Sequence, residues 1–221
     1  MEVSLQNPDE LEALEQLWEA VHDGDRASIE ALLVGDEEHP PLGCSVDVQD
    51  ANGMSPLHWL ATEGHSEVAE WIIDEVGAEV ELGDARFGQT ALHFAAVKNN
   101  ARVAEQLLAR KANPLVRCKS GWTPLHAAAC SGSVDTAAVL LAAISKGDVD
   151  VRGPNNQTPL HRASFWGQVG TVRMLLSAGA DRTLADAGGS MPLHLVCDGG
   201  HQRREIPKLQ KMLKSPPPAL R

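Results

Sequence analysis

The sequence predicts an all-α repeat solenoid, with helix-turn-helix units joined by short β-hairpin loops, and three observations carry that prediction. A six-residue block, Gly53-Met54-Ser55-Pro56-Leu57-His58, recurs in related form ending at His93, His126, His161 and His194. The histidines are 35, 33, 35 and 33 residues apart, a mean period of 34, and a fixed period in this range marks an array of supersecondary units. Each block is followed by small residues, a breaker (Gly64, Asn99, Gly132, Gly167, Gly199) and Val and Leu at three- and four-residue spacing, the pattern of a second helix with one apolar stripe. Hydrophobic residues make up 43% and charged residues 22% of the chain, which excludes a disordered or a fibrous class.

The block itself reads as a turn followed by a helix start. Gly, or Asn156 in the fourth block, supplies the positive φ of a tight turn. Ser55, Thr90, Thr123 and Thr158 stand at the N-cap, where a side-chain oxygen satisfies an orphan amide. Pro follows at the first helical position in four of the five blocks, where its missing donor costs nothing. Leu opens the buried stripe. The histidine lies three residues after the cap, within reach of the cap hydroxyl, as the glutamate of a capping box would be. Helices stack about 10 Å apart, so rings one repeat apart cannot share a metal ligated at ~2 Å. The histidines are therefore expected to be structural, with no metal site. Ala61, Ala95, Ala96, Ala127 to Ala129, Ala163 and Ser164 let neighbouring first helices approach closely.

In chain order, repeat one spans 9–50, with a helix over Asp9 to His22, the break Gly24-Asp25, a helix over Ala27 to Val34 and an exit stretched by the acidic loop 35–45. Repeats two to five fill 51–185, their second helices striped by Val68-Ile72, Val103-Leu107-Leu108, Val134-Val139-Leu140-Leu141 and Val172-Leu175-Leu176. Repeat six and a C-terminal capping helix, Ile206 to Leu213, fill 186–214, and residues 215–221 read as a frayed tail. The whole chain, 1–221, is expected to form a single domain. Met191 takes the place of the cap hydroxyl in the last block, a loss of order 1 kcal/mol. Repeat six is therefore expected to open first.

With this period and the words Thr123-Pro-Leu-His and Thr158-Pro-Leu-His-Arg-Ala, the chain resembles the ankyrin repeat family from about Leu11 to Leu213. The resemblance implies a curved stack whose concave side, made of hairpin tips and first helices, holds another protein. It places Ala51, Asn52, Met54, Thr62 and Glu63 on that side in repeat two, and Arg86, Phe87, Gln89, Val97 and Lys98 in repeat three. Lys119, Ser120, Trp122, Cys130 and Ser131 follow in repeat four, then Pro154, Asn155, Gln157, Phe165 and Trp166 in repeat five. Repeat six adds Ala187, Gly188, Ser190, Asp198 and Gly199. Four of the eight Phe and Trp residues fall in this set: Phe87, Trp122, Phe165 and Trp166. Solvent-facing aromatics beside Lys98, Lys119 and Arg162 form a candidate hot-spot cluster, with Trp122 and Trp166 as anchors. The alternative is that one or more of them plugs a gap between repeats. Trp18, Trp59 and Trp71 read as packing residues.

Charge is divided along the chain. Residues 1–84 hold 22 Asp and Glu against one basic residue, Arg26, a charge of −21, whereas residues 85–221 hold 8 against 18, a charge of +10. A stack that keeps sequence order in space is then a dipole that steers its partners. Within the family, Thr158 to Ala163 and Met191 to Asp198 look like the gankyrin-type chaperones of proteasome ATPases, which hold one ATPase domain by charge complementarity. Basic residues interleaved with aromatics after Arg86 raise nucleic acid as a second class, but they are scattered over both helices and the acidic repeats repel phosphate.

No catalytic motif appears: there is no GxGxxG or GxxxxGK[ST] loop, no GxSxG elbow and no HExxH. Cys197 and His194 form an i, i+3 pair at packing positions. No catalytic residue and no cofactor are expected. The four cysteines lie 74, 12 and 67 residues apart without a CxxC pair, which predicts free thiols and a reducing compartment, cytoplasm or nucleus. No apolar run approaches the ~20 residues of a membrane helix, and the acidic N-terminus is unlike a signal peptide. The expected product is a monomeric protein-binding module.

Overall fold

The computed structural model describes residues 8–35, 44–196 and 205–214. Helices come in pairs: α1 (Pro8–Asp23) with α2 (Arg26–Leu33), α3 (Pro56–Glu63) with α4 (Ser66–Trp71), α5 (Ala91–Lys98) with α6 (Ala101–Ala109), α7 (Pro124–Ser131) with α8 (Val134–Ala143), and α9 (Pro159–Phe165) with α10 (Val169–Ser177). The short α11 (Pro192–Leu195) and the capping α12 (Ile206–Lys214) complete the order. None of the described helices is long and apolar enough to cross a membrane.

Helices of 8 to 10 residues are too short to persist alone in water, so the stack holds them. First helices form one layer, α1 on α3, α3 on α5, α5 on α7, α7 on α9 and α9 on α11. Second helices form another, α4 on α6, α6 on α8, α8 on α10 and α10 on α12. The leucine of each block, Leu57, Leu92, Leu125 and Leu160, is at most 2% exposed, and Ile72, in the π-helical turn Ile72–Val76 that continues α4, and Leu107, Leu140 and Leu175 on the other second helices are fully buried. Each contributes roughly 1.5–3 kcal/mol by burial. The small residues Ala61, Ala96, Ala129 and Ser164 are also fully buried, which is what the close approach of first helices requires.

Three details differ from the sequence-based expectations. The connecting hairpins contain no β-strand among the described residues, only an isolated bridge between Gly83 and Thr90. Each tip is a turn closed by bonds such as Gly53 N–H to Asp50 O (2.8 Å) and Asp50 N–H to Met54 O (2.9 Å). The next residue is already an N-cap, which leaves no room for a ladder. Met54, expected on the partner-facing side, is buried. The exit of repeat four contains an extra 3₁₀ turn, Lys146–Asp150, which accounts for the longer spacing from His126 to His161. The tail 215–221, most of the acidic loop and Cys197, Asp198 and Gly199 lie outside the described residues.

The remaining tryptophans pack as expected. Trp59 Nε1 donates to Asp50 Oδ2 at 3.0 Å, Trp71 is buried beneath the Arg26 guanidinium, and Trp18 is half-buried. Cys44, Cys118 and Cys130 are free thiols.

Candidate partner-binding face

Four buried histidines set the frame on which this face is built. In each, Nδ1 accepts from the cap residue's own amide: Ser55 at 3.0 Å, Thr90 at 3.2 Å, Thr123 at 3.4 Å and Thr158 at 3.2 Å. The cap hydroxyl donates to the same nitrogen at 2.8–3.1 Å. A nitrogen that accepts from an amide carries no proton, so the proton sits on Nε2. From there His58 donates to Gln89 O (2.9 Å), His93 to Trp122 O (3.1 Å), His126 to Gln157 O (3.0 Å) and His161 to Ser190 O (3.1 Å). Each ring thus ties a helix start to the following hairpin. Burial lowers the pKa of all four, and that of His126 falls to about 4. Among the described residues no three His, Cys, Asp or Glu converge as a metal site.

Two further seams bind successive repeats. Hairpin tips are linked by backbone bonds, Ala85 N–H to Gly53 O (2.9 Å), Lys119 N–H to Phe87 O (2.8 Å) and Ala187 N–H to Asn155 O (2.8 Å). At the matching position between repeats four and five stands Pro154, which has no N–H to give. At the starts of the second helices, His65 donates to His22 O (2.8 Å), Asn100 to Ala61 O (2.9 Å), Ser133 to Val97 O (3.3 Å) and Gln168 to Cys130 O (2.9 Å).

On this frame the candidate residues fall into two groups. At the tip of the third hairpin, Phe87 is 60% exposed. Its amide is held by Asp84 Oδ2 at 2.9 Å and its carbonyl by Lys119 N, so the side chain projects from a fixed backbone. Arg86 is exposed beside it and reaches Ala51 O at 3.3 Å, while the Lys119 ammonium donates to the carbonyls of Ala85 and Arg86. The second group is Trp122, Arg162, Phe165 and Trp166. The Arg162 guanidinium lies 4.7 Å over the Trp122 ring and 5.9 Å from that of Phe165, and its Nε donates to Cys130 Sγ at 3.2 Å. Phe165 and Trp166 meet edge-to-face at 5.5 Å.

Of the four aromatics expected to face solvent, Phe87 and Trp166 do, whereas Trp122 and Phe165 are half-buried. The reason is packing across repeats: a Cβ on Gly153 would lie 2.7 Å from the Trp122 ring, so that ring fills the space beside the next hairpin. In three other hairpins this position is Asp50, Asp84 or Asp186, whose carboxylate holds the turn amides, and in the fourth it is Cys118. The break in that pattern at Gly153 is the signal from which the packing of Trp122 can be read. Lys98 and Glu63 stand exposed in the last turns of α5 and α3.

The comparisons with known proteins agree with this architecture. A family model described as ankyrin repeats in three copies matches residues 17–118 and 102–186. Inversin from Gallus gallus is 39% identical over 175 residues, covering 79% of this chain and 15% of that protein. Inversin from Homo sapiens is 30% identical over 179 residues, covering 81% and 16%. Diacylglycerol kinase iota from Rattus norvegicus is 33% identical over 129 residues, covering 56% of this chain and 12% of the kinase. The chain therefore spans less than a fifth of the length of each of these relatives.

Proposed function

Because the chain belongs to the ankyrin-repeat family, we propose that it is a non-catalytic protein–protein interaction module, an adaptor that holds a partner protein on the concave face of its hairpins and first helices. One observation supports this above others. Six large apolar side chains are exposed among the described residues, and four of them, Phe87, Val97, Trp166 and Met191, belong to hairpin tips or the ends and starts of first helices in repeats three to six. Apolar side chains gathered on one face of a stable scaffold mark an interaction surface. Trp122 and Arg162 serve that face from beneath, by fixing Phe165 and Trp166. The module works as a monomer, without cofactor, in cytoplasm or nucleus.

The test is affinity capture from a lysate with the wild-type chain and with Phe87→Ala/Trp166→Ala, followed by mass spectrometry. Phe87 is 60% and Trp166 37% exposed, and circular dichroism verifies the variant's fold. A protein retained by the first and lost by the second is the expected result, and identical captures would refute the reading. A narrower version, a gankyrin-type chaperone, rests on the block sequences and the charge split, and requires a proteasome ATPase subunit in the captured set.

A further inference from the structure

The chemistry of the occupant can be narrowed, on the reading that this face holds a partner protein. Residues 85–98, 117–131 and 152–166 supply the hairpins and first helices of repeats three to five. Together they carry Arg86, Lys98, Arg117, Lys119, Arg152 and Arg162, and not one Asp or Glu. The acids of the same repeats lie elsewhere, Glu105 on α6, Asp135 on α8, and Asp148, Asp150 and Asp181 in the exits. Asp84, at the root of the first of these hairpins, is 3% exposed and bonded to turn amides.

We propose that the face of repeats three to five is a receptor for an extended acidic segment of a partner protein, whose carboxylates meet these cations and whose apolar side chains rest on Phe87 and Trp166. Four of the six cations are held in place by backbone carbonyls. Arg117 donates to Gly121 O (2.9 Å), Arg152 to Asn156 O (3.1 Å) and Ala185 O (3.2 Å), Arg86 to Ala51 O, and the Lys119 ammonium to two carbonyls. Carbonyl partners fix a side chain without cancelling its charge, which lowers the ordering cost of binding. On the second-helix layer the opposite is built: Arg110 is clamped by Glu70 and Asp74 and so neutralised.

A short peptide fits better than a nucleic acid. Three repeats at about 10 Å each set their outer hairpins roughly 20 Å apart, the reach of about six extended residues. Just before this patch the same face carries Asp50 and Glu63, and residues 1–84 hold 22 acids to one base. A phosphate backbone, charged at every residue and running past the patch, meets that repulsion, whereas a segment of matched length does not.

The experiment pans a phage-displayed random octapeptide library on the full chain, and on a variant carrying Arg86→Glu, Lys98→Glu and Arg117→Glu, all exposed side chains. Circular dichroism and thermal unfolding verify the variant's fold. The expected result is selected peptides rich in Asp and Glu around one or two large apolar residues, with affinity for the variant at least tenfold weaker. Neutral or basic selected peptides, acidic peptides that bind the variant equally well, or no selected peptide at all would overturn the proposal. So would an eight-nucleotide oligouridylate binding more tightly than the best peptide. Apolar peptides blocked by Phe87→Ala/Trp166→Ala would overturn this proposal alone, leaving the partner-binding reading intact.

Discussion

At the scale of single residues, the buried histidines carry a pH dependence whose sign follows from their geometry. Protonating Nδ1 sets a new N–H against the cap amide, which can only donate, and forces the cap hydroxyl to turn from donor to acceptor. The folded pKa is depressed by burial, so between it and the unfolded value near 6.5 the unfolded chain binds more protons. Stability from these rings is complete above pH 6.5 and is lost as pH falls toward about 4, the value for His126. That residue alone contributes on the order of 3 kcal/mol. Urea unfolding measured from pH 7.5 to 4.5 should show a plateau followed by a steep decline, and a flat profile would contradict the assignment of the neutral tautomer. A second residue-scale prediction concerns Gly153, whose backbone (φ −92°) any residue can adopt but whose side-chain space the Trp122 ring occupies. Gly153→Ala should cost about 1–3 kcal/mol, most of it recovered when Trp122→Leu is added. A double-mutant cycle in urea measures that coupling.

At the scale of elements, the stack is unevenly sealed. In the last block Met191 stands where the others have a hydroxyl, His194 is exposed, Leu193 is half-buried, and α11 runs for only four residues. Between repeats four and five the hairpin bond is missing at Pro154, and the turn-holding aspartate is replaced by Cys118 and Gly153. Amide exchange should therefore be fastest in α11 and α12, next in the hairpins at 118–123 and 153–158, and slowest in α5 and α7. Equal protection throughout would sink this ranking. Much of this was legible in the sequence, because a repeat states its own template: helix starts, breakers and the buried stripe all recur at fixed offsets, and Met191 is visible as a departure. The bonds between repeats were not legible. They join residues 29 to 43 positions apart through backbone carbonyls, which have no side-chain signature. The candidate face was legible as a set of positions, but which aromatics it exposes was decided by Gly153, a residue whose meaning lies in the missing Cβ.

At the scale of the whole molecule, the charge division sets how a partner arrives. Acidic repeats one and two adjoin a face of cations, so on the proposed reading a partner segment is attracted at one place and repelled at the next, which would fix its register. Association with the captured partner, followed by stopped-flow fluorescence, should slow roughly tenfold between low and high salt while dissociation changes little. An association rate indifferent to salt would show that the division has no part in encounter.

The histidine relay has a consequence for how such a chain comes into being. Each imidazole donates to a carbonyl belonging to the module made after it, so a module leaving the ribosome keeps that N–H turned to water until about thirty more residues emerge, a gap set by the repeat period. Every newly finished module then waits on its successor to be locked.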